Sequence, residues 1–308
     1  MCGIAGFVSR KGDRDASPDR LTSMVQTLFH RGPDESGMAI HDGVAMGMRR
    51  LSIIDLSGGQ QPIYNEDQTI WTVFNGEIYN FKTLRRELIK KGHVFRTQSD
   101  TEVIVHAYEE YETEFPRYLN GMFAIAIHDR KRKRLMLVRD HIGIKPLYYS
   151  MDNKDLIFGS EIKAILASGL VNRELNIAGL AAFLAWEYVP GKATLFRSVN
   201  KLEPGCYLDI HLDDRQAFMR AYWDIPAPFQ SQACRNESEW ADAVDQQIQK
   251  STRMQMISDV PLGAFLSGGV DSSLIVSAMG QARTFSIGFD DPTYNELPWA
   301  RKVADYLG

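Results

Sequence analysis

The chain has 308 residues, a length that predicts about two domains. Hydrophobic residues make up 44% of it and charged residues 24%, both near globular averages, which excludes collagen-like, disordered and coiled-coil readings. With 35 Lys and Arg against 39 Asp and Glu, the net charge is −4 and gives no electrostatic reason to expect nucleic acid or an anionic membrane as partner.

The first element is a short strand, Gly3 to Ser9. A helix follows, capped by Ser17, with Pro18 in its first turn and Leu21, Met24, Val25 and Leu28 on one apolar face; Gly32-Pro33 ends it. Strand-like runs cover Val44–Met48 and Ile70–Phe74. A helix from Phe81 to Lys91 lies between Asn80 and Gly92, and the Ser99 to Glu102 spacing predicts a capping box for the next one. Phe123–His128 and Leu135–Arg139 read as a hairpin, with Leu156–Gly159 as a further strand. Strands in runs interleaved with helix pairs predict a layered α+β domain.

From Asp209 to Glu237 no apolar period is visible, and Pro226, Pro228, Gln230, Ser231 and Gln232 cluster there, as in a linker. A helix over Glu237–Met256 comes next, with Trp240, Val244, Ile248 and Ser251 on one side. It leads to a buried strand (Val260–Leu266), a Gly/Ser turn, a helix (Ser272–Met279) and a second strand (Thr284–Phe289). That succession opens a doubly wound parallel sheet.

No apolar run approaches the roughly 18 residues of a membrane span, and Cys2–Val8 is too short and lacks the basic flank of a signal peptide. A soluble, cytoplasmic protein is expected. Cys2, Cys206 and Cys234 are too few for a disulfide framework. His30, His41, His93, His106, His128, His141 and His211 show no ligand spacing with Cys206 or Cys234, so no transition-metal site and no tightly bound cofactor are expected. Arg130-Lys131-Arg132-Lys133-Arg134 reads as a solvated turn between hairpin strands, and Trp186, Tyr188 and Phe196 as core or interdomain contacts.

Cys2 stands before a small residue and after the initiator methionine. Removal of Met1 leaves one residue with a thiol and an α-amine. The amine titrates near 7.7–8.0 and can take the thiol proton, so a single residue serves as nucleophile and base. Asn75-Gly76 follows a strand and offers an amide and an unobstructed N–H, donors suited to an oxyanion. The same pair is also a common hairpin turn. Asp100 is equally suited to capping the helix after it, and Arg49 stands beside Arg50.

Met1-Cys2-Gly3-Ile4-Ala5-Gly6 resembles the start of the class II glutamine amidotransferases, the amino-terminal-nucleophile glutaminases. Further matching segments follow in order: His30-Arg31-Gly32-Pro33-Asp34, Arg50-Leu51-Ser52-Ile53-Ile54-Asp55, Phe74-Asn75-Gly76-Glu77-Ile78-Tyr79-Asn80, Ser99-Asp100-Thr101-Glu102, and the run from Arg139 to Tyr149. The resemblance implies Cys2 as nucleophile, with Asn75 and Gly76 as the oxyanion hole. It implies glutamine binding by Arg50, Leu51, Ser52, Ile53, Ile54, Asn75, Gly76, Glu77 and Asp100. In register it favours Arg50 over Arg49 for the carboxylate, assigns the ammonium to Asp100 and the Glu77 region, and gives His30 a supporting role.

Ser267-Gly268-Gly269-Val270-Asp271-Ser272-Ser273 lies between a strand and a helix start, where helix N–H groups and hydroxyls suit a phosphate and Asp271 a magnesium ion. It resembles the pyrophosphate loop of the ATP pyrophosphatases and lacks the lysine of the Walker pattern. Leu266 and Ile287 match positions that cradle adenosine there.

Together these resemble the glutamine-hydrolysing asparagine synthetase family. The implied architecture is a four-layer αββα glutaminase domain over 2–208, a linker over 209–236, and the beginning of an α/β doubly wound ATP-pyrophosphatase domain over 237–308. The implied reaction takes ammonia from glutamine through the protein to a carboxylate, classically that of aspartate, activated by ATP and magnesium. Glutamine, ATP and an acceptor carboxylate are the expected partners, without nucleic acid or membrane; a homodimer stays open. Another acceptor, such as a surface polysaccharide or a peptide, or a glutaminase-only product or subunit, are the alternatives. Asn236 to Gly308 is shorter than the roughly 100–200 residues of a typical domain, so a truncated enzyme is expected.

Overall fold

Apolar segments that alternate between two buried faces give the first unit more strand than helix. Its elements are β1 (Gly3–Val8), α1 (Pro18–Gln26), β2 (Glu35–His41), β3 (Val44–Arg50), β4 (Ile63–Tyr64), β5 (Ile70–Ile78), α2 (Phe81–Lys90), α3 (Glu102–Tyr111), β6 (Gly121–Asp129), β7 (Arg134–Arg139), β8 (Tyr148–Asp152), β9 (Asp155–Gly159), α4 (Ile162–Ala167), α5 (Ile177–Trp186), β10 (Asn200–Lys201), β11 (Cys206–His211) and β12 (Ala217–Ala221). The structure is a computed structural model and describes residues 1–9, 17–152, 155–226 and 236–308. Pro228, Gln230, Ser231, Gln232 and Cys234 lie outside the described residues.

Two six-stranded antiparallel sheets form, in the orders β10-β8-β9-β1-β3-β2 and β12-β11-β7-β6-β5-β4. Ile4, Met46 and Phe158 of the first sheet share one core with Trp71, Val73, Leu137 and Leu208 of the second. Residues on the other face of the first sheet, Ala5, Phe7, Ala45 and Ile157, pack against Leu21, Met24 and Val25 of α1 and Ala164 and Ile165 of α4. Helix α3 lies against β4 and β5 and α2 against α3. The result is four layers, αββα. Ser17 caps α1 as expected, its hydroxyl accepting from the Arg20 N–H at 3.3 Å, with Pro18 in the first turn.

Three expectations are corrected here. The capping box at Ser99 does not form: α3 starts at Glu102, whose carboxylate instead accepts from the Arg96 and Thr97 N–H groups at 2.7 Å each. The first unit extends to Ile225, so the linker does not start at 209. Residues 206–211 and 217–221 are paired strands, and the alternation is masked because Asp209 is a buried acid held by Arg134 at 3.0 Å. Trp186 and Tyr188 are 66% and 60% exposed and are not core residues, whereas Phe196 packs on the outer core of the first sheet. The basic run is a turn as expected, its side chains paired with Asp42, Asp67, Asp129 and Asp213.

The second unit, Pro226–Gly308, holds α6 (Glu237–Gln255), β13 (Gly263–Phe265), α7 (Val270–Met279), β14 (Arg283–Phe285) and α8 (Leu297–Leu307). Asn236 and Glu239 form a capping box on α6. Strands β13 and β14 pair in parallel, and Leu266, Val276 and Ala300 form the core. Both strands are shorter than expected. Pro261 has no N–H to give, and beyond Phe285 the ladder ends, with the Ser286 hydroxyl donating to the Leu266 carbonyl at 2.6 Å. No helix among the described residues is long and apolar enough to cross a membrane.

Candidate active site

Cys2 leads into β1 at the edge of the inter-sheet core, and its sulfur is tied to Leu51 from both sides. The Leu51 N–H donates to Sγ at 3.4 Å, and the thiol points at the Leu51 carbonyl at 3.6 Å. Burial pushes the thiol up from its ordinary value, opposed chiefly by the hydrogen bond from Leu51; the amine of Met1 is pushed down, also by burial. Arg31 fixes the backbone here, its Nε donating to the Cys2 carbonyl at 2.8 Å and its Nη1 to Glu161 at 3.0 Å. His30 holds the same carboxylate at 2.8 Å, which is a supporting position. Asp34 accepts from the Ser52 N–H at 2.9 Å and pins the segment after β3.

The cleft beside Cys2 is lined by Arg50, Leu51, Ile53, Ile54, Gln61, Phe74, Gly76, Glu77, Ser99, Asp100 and Thr101. Residues distant in sequence and singled out from it therefore meet in one place. Asn75 and Ser52 each stand between two lining residues, Phe74 and Gly76 for the first and Leu51 and Ile53 for the second. Asn75 and Gly76 are inside β5 and form no hairpin turn. Asn75 is fully buried, and neither amide atom has a partner among the described residues. Along the free edge of β5 the Phe74 N–H donates to Gln61 Oε1 at 2.6 Å and the Ile78 N–H to Asp100 Oδ2 at 2.9 Å. Alternate strand residues direct their N–H groups to the same side, so the Gly76 N–H between them is aimed at that edge. Phe123, opposite Gly76, is consistent with this, since its N–H and carbonyl are both engaged by Asp140.

Charges are arranged in pairs around this edge. Arg50 donates to Glu35 at 2.9 Å and to the Ile54 and Asp55 carbonyls at 2.8 Å each. A guanidinium has five N–H donors, so two remain for a carboxylate. Arg49 turns away from the cleft, donating to the Gly32 and Pro33 carbonyls and covering the Phe29 ring. Glu77 and the buried Asp100 are both raised well above the ordinary carboxylate range. Burial is the largest cause for each, and the charge of Asp100 adds to it at Glu77. Asp100 does not cap α3 through its side chain. Two carboxylates that resist ionisation in the same pocket suit an incoming ammonium, which would relieve both costs.

Sequence reasoning left Arg31, Gln61, Lys145 and Glu161 out of the site. Arg31 and Lys145 lie inside segments that had already been singled out. Lys145 is 5% exposed, and burial pushes its ammonium down while the charges of Glu77 and Cys2 push it up. Nothing local marks Gln61, which bridges the Phe74 N–H and the Thr101 hydroxyl.

In the second unit Gly268 takes a φ of +83°, and a Cβ there would lie 2.5 Å from the backbone of Trp299 and Ala300. Gly269 is the N-cap of α7. Ser267 and Ser272 hydroxyls lie 3.0 Å apart, and Ser273 donates to the Gly269 carbonyl at 2.7 Å. Val270 and Asp271 are exposed in the first turn. Leu266 is buried, whereas Ile287 is 67% exposed.

Comparison with known proteins agrees with this geometry. Residues 1–223 match a glutamine amidotransferase domain model and residues 243–308 an asparagine synthase model. Asparagine synthetase [glutamine-hydrolyzing] 1 of Bacillus subtilis is 38% identical over 314 residues, covering 100% of this chain and 49% of the relative. Asparagine synthetase [glutamine-hydrolyzing] 3 of the same organism is 33% identical over 337 residues, covering 100% of this chain and 53% of the relative. The chain thus spans about half the length of these curated relatives. A solved glutamine phosphoribosylpyrophosphate amidotransferase from B. subtilis, complexed with ADP and GMP, shares the fold at a TM-score of 0.53 and 18% identity, covering 94% of this chain and 67% of that one. With an αββα domain that carries the amidotransferase match and an asparagine synthase match after it, the chain belongs to the glutamine amidotransferase domain family and is similar over its whole length to glutamine-hydrolysing asparagine synthetases.

Proposed function

We propose that the first unit hydrolyses glutamine and that the ammonia serves an ATP-dependent amide synthesis of the asparagine synthetase type. The observation that carries this reading is the convergence of Cys2, Arg50, Gly76, Glu77 and Asp100 on one cleft, with the unpartnered Asn75 amide beside them. Arg50 takes the glutamine carboxylate and the Glu77–Asp100 pair its ammonium, which presents the side-chain amide to Cys2. With Met1 removed, the Cys2 α-amine accepts the thiol proton and the sulfur attacks the amide carbon. The oxyanion is met by the Asn75 amide and the Gly76 N–H. Collapse breaks the C–N bond, the leaving nitrogen takes the proton and departs as ammonia, and water then cleaves the thioester to glutamate and restores the thiol.

For the second unit, the turn from Ser267 to Ser273 at the start of α7 supports binding of the ATP pyrophosphate. Leu266 and Ile287 would flank adenosine, and Asp271 would hold the magnesium that accompanies the nucleotide. Aspartate is the proposed acceptor: its carboxylate attacks the α-phosphate of ATP, releases pyrophosphate, and forms an acyl-adenylate from which ammonia displaces AMP. The test is product analysis with glutamine alone and with glutamine, ATP, magnesium and aspartate. The expected result is glutamate release abolished by Cys2→Ala, and ATP-dependent asparagine abolished by the same substitution when glutamine is the donor. Undiminished glutamate release from the Cys2→Ala variant overturns the glutaminase reading; glutamate without asparagine overturns the synthetase reading for this chain.

A further inference from the structure

We propose that Glu66, His93, His106 and Glu109 form a binding site for a divalent transition-metal ion of the zinc class. One candidate ligand atom from each lies within 4.8 Å of all the others. His93 Nδ1 is 3.6 Å from Glu66 and 3.5 Å from Glu109; His106 Nδ1 is 3.4 Å from Glu66 and 3.3 Å from Glu109. These separations are longer than most N–H···O hydrogen bonds. They lie close to the edge, about 3.4 Å, of a tetrahedron whose centre is about 2.1 Å from nitrogen and oxygen ligands, with Glu109 offering the same oxygen to both imidazoles and Glu66 a different oxygen to each.

The surroundings orient these ligands in the manner of a metal site. A metal-bound imidazole normally directs its other nitrogen at a carboxylate or carbonyl. His93 Nε2 meets Glu110 at 3.1 Å, and His106 Nε2 faces Glu102 at 3.7 Å. The carboxylates are positioned in the same way: Glu66 accepts from the Val94 N–H and Glu109 from the Asn65 amide, both at 2.8 Å. His106 is buried, while the side chains of Glu66 and Glu109 are 33% and 26% exposed, which leaves an entry path. Two imidazoles with two carboxylates suit zinc, and four protein ligands make a structural site rather than a catalytic one.

The ligands come from the β4–β5 turn, the α2–α3 loop and two positions three apart on α3. A metal here would clamp the loop to α3, which begins two residues after Asp100. The test uses the full chain, stripped with a chelator and titrated with cobalt(II). The expected result is one equivalent bound, with the intense visible bands of a tetrahedral cobalt site, displaced by zinc. Glu110→Gln, at the surface, weakens binding roughly 10–100-fold, and His93→Ala weakens it further. No stoichiometric cobalt binding by the stripped wild-type chain overturns the proposal and leaves an ion-pair cluster only. So does unchanged affinity in folded Glu110→Gln and His93→Ala variants.

Discussion

Replacing Asn75 by alanine separates catalysis from stability with opposite signs. Asn75 is fully buried and neither polar atom of its amide has a partner among the described residues. A buried, unsatisfied polar group costs about 1–3 kcal/mol. Truncation removes that cost and leaves a void of about one carboxamide, worth roughly 1 kcal/mol against the folded state. The Asn75→Ala protein is therefore expected to unfold at or slightly above the wild-type temperature. An oxyanion donor acts only as charge develops, and losing one costs about 2.7–4 kcal/mol, or 10²–10³ in turnover. Because the interaction belongs to the transition state, kcat and kcat/KM should fall together while KM stays put. Glutamate release at saturating and limiting glutamine, beside thermal unfolding, measures both. Turnover within about threefold of wild type, or destabilisation beyond about 1 kcal/mol, would refute the reasoning.

Arg50→Lys removes a fork that holds Glu35 and two carbonyls as well as substrate; KM for glutamine should rise at least about tenfold and stability fall by about 2–4 kcal/mol, read from kinetics and denaturant unfolding. The raised Glu77–Asp100 pair keeps protons that the unfolded chain has lost, so the stability of the ligand-free protein should fall as pH rises from the ordinary carboxylate range through neutrality. Over that window glutamine's ammonium should bind more tightly and its thermal protection should grow, and Asp100→Asn should flatten both trends. Gly76→Ala places a Cβ 2.0 Å from the Met122 carbonyl, a backbone atom that cannot yield, and should cost several kcal/mol in a thermal unfolding assay.

The glutamine cleft was legible because its chemistry is carried by short local segments. Cys2, Arg50, Gly76, Glu77 and Asp100 each stand in a run whose backbone role is fixed nearby, and the fold only had to bring those runs together. What was not legible depends on partners far away in the chain. The Ser99 capping box fails because the Glu102 carboxylate is already taken by the loop before it. Strands β11 and β12 were hidden by Asp209, which reads as polar until Arg134 is seen beside it. Gln61 has no local mark, and its role exists only through the edge of β5. The cluster of Glu66, His93, His106 and Glu109 is the sharpest case. Its histidines have no ligand spacing with a cysteine, whereas the partners that the fold supplies are Glu109 of α3 and Glu66 from the β4–β5 turn.

In the proposed reaction Cys2, the amino terminus once Met1 is removed, is the nucleophile that opens glutamine. Treatment with the glutamine analogue 6-diazo-5-oxo-L-norleucine, followed by intact-mass analysis and peptide mapping, tests it most directly. The expected result is one adduct per chain, on the sulfur of Cys2, in molecules that have lost Met1, with glutamate release falling in step. An adduct on any other residue, or unchanged glutamate release from fully labelled protein, would contradict it.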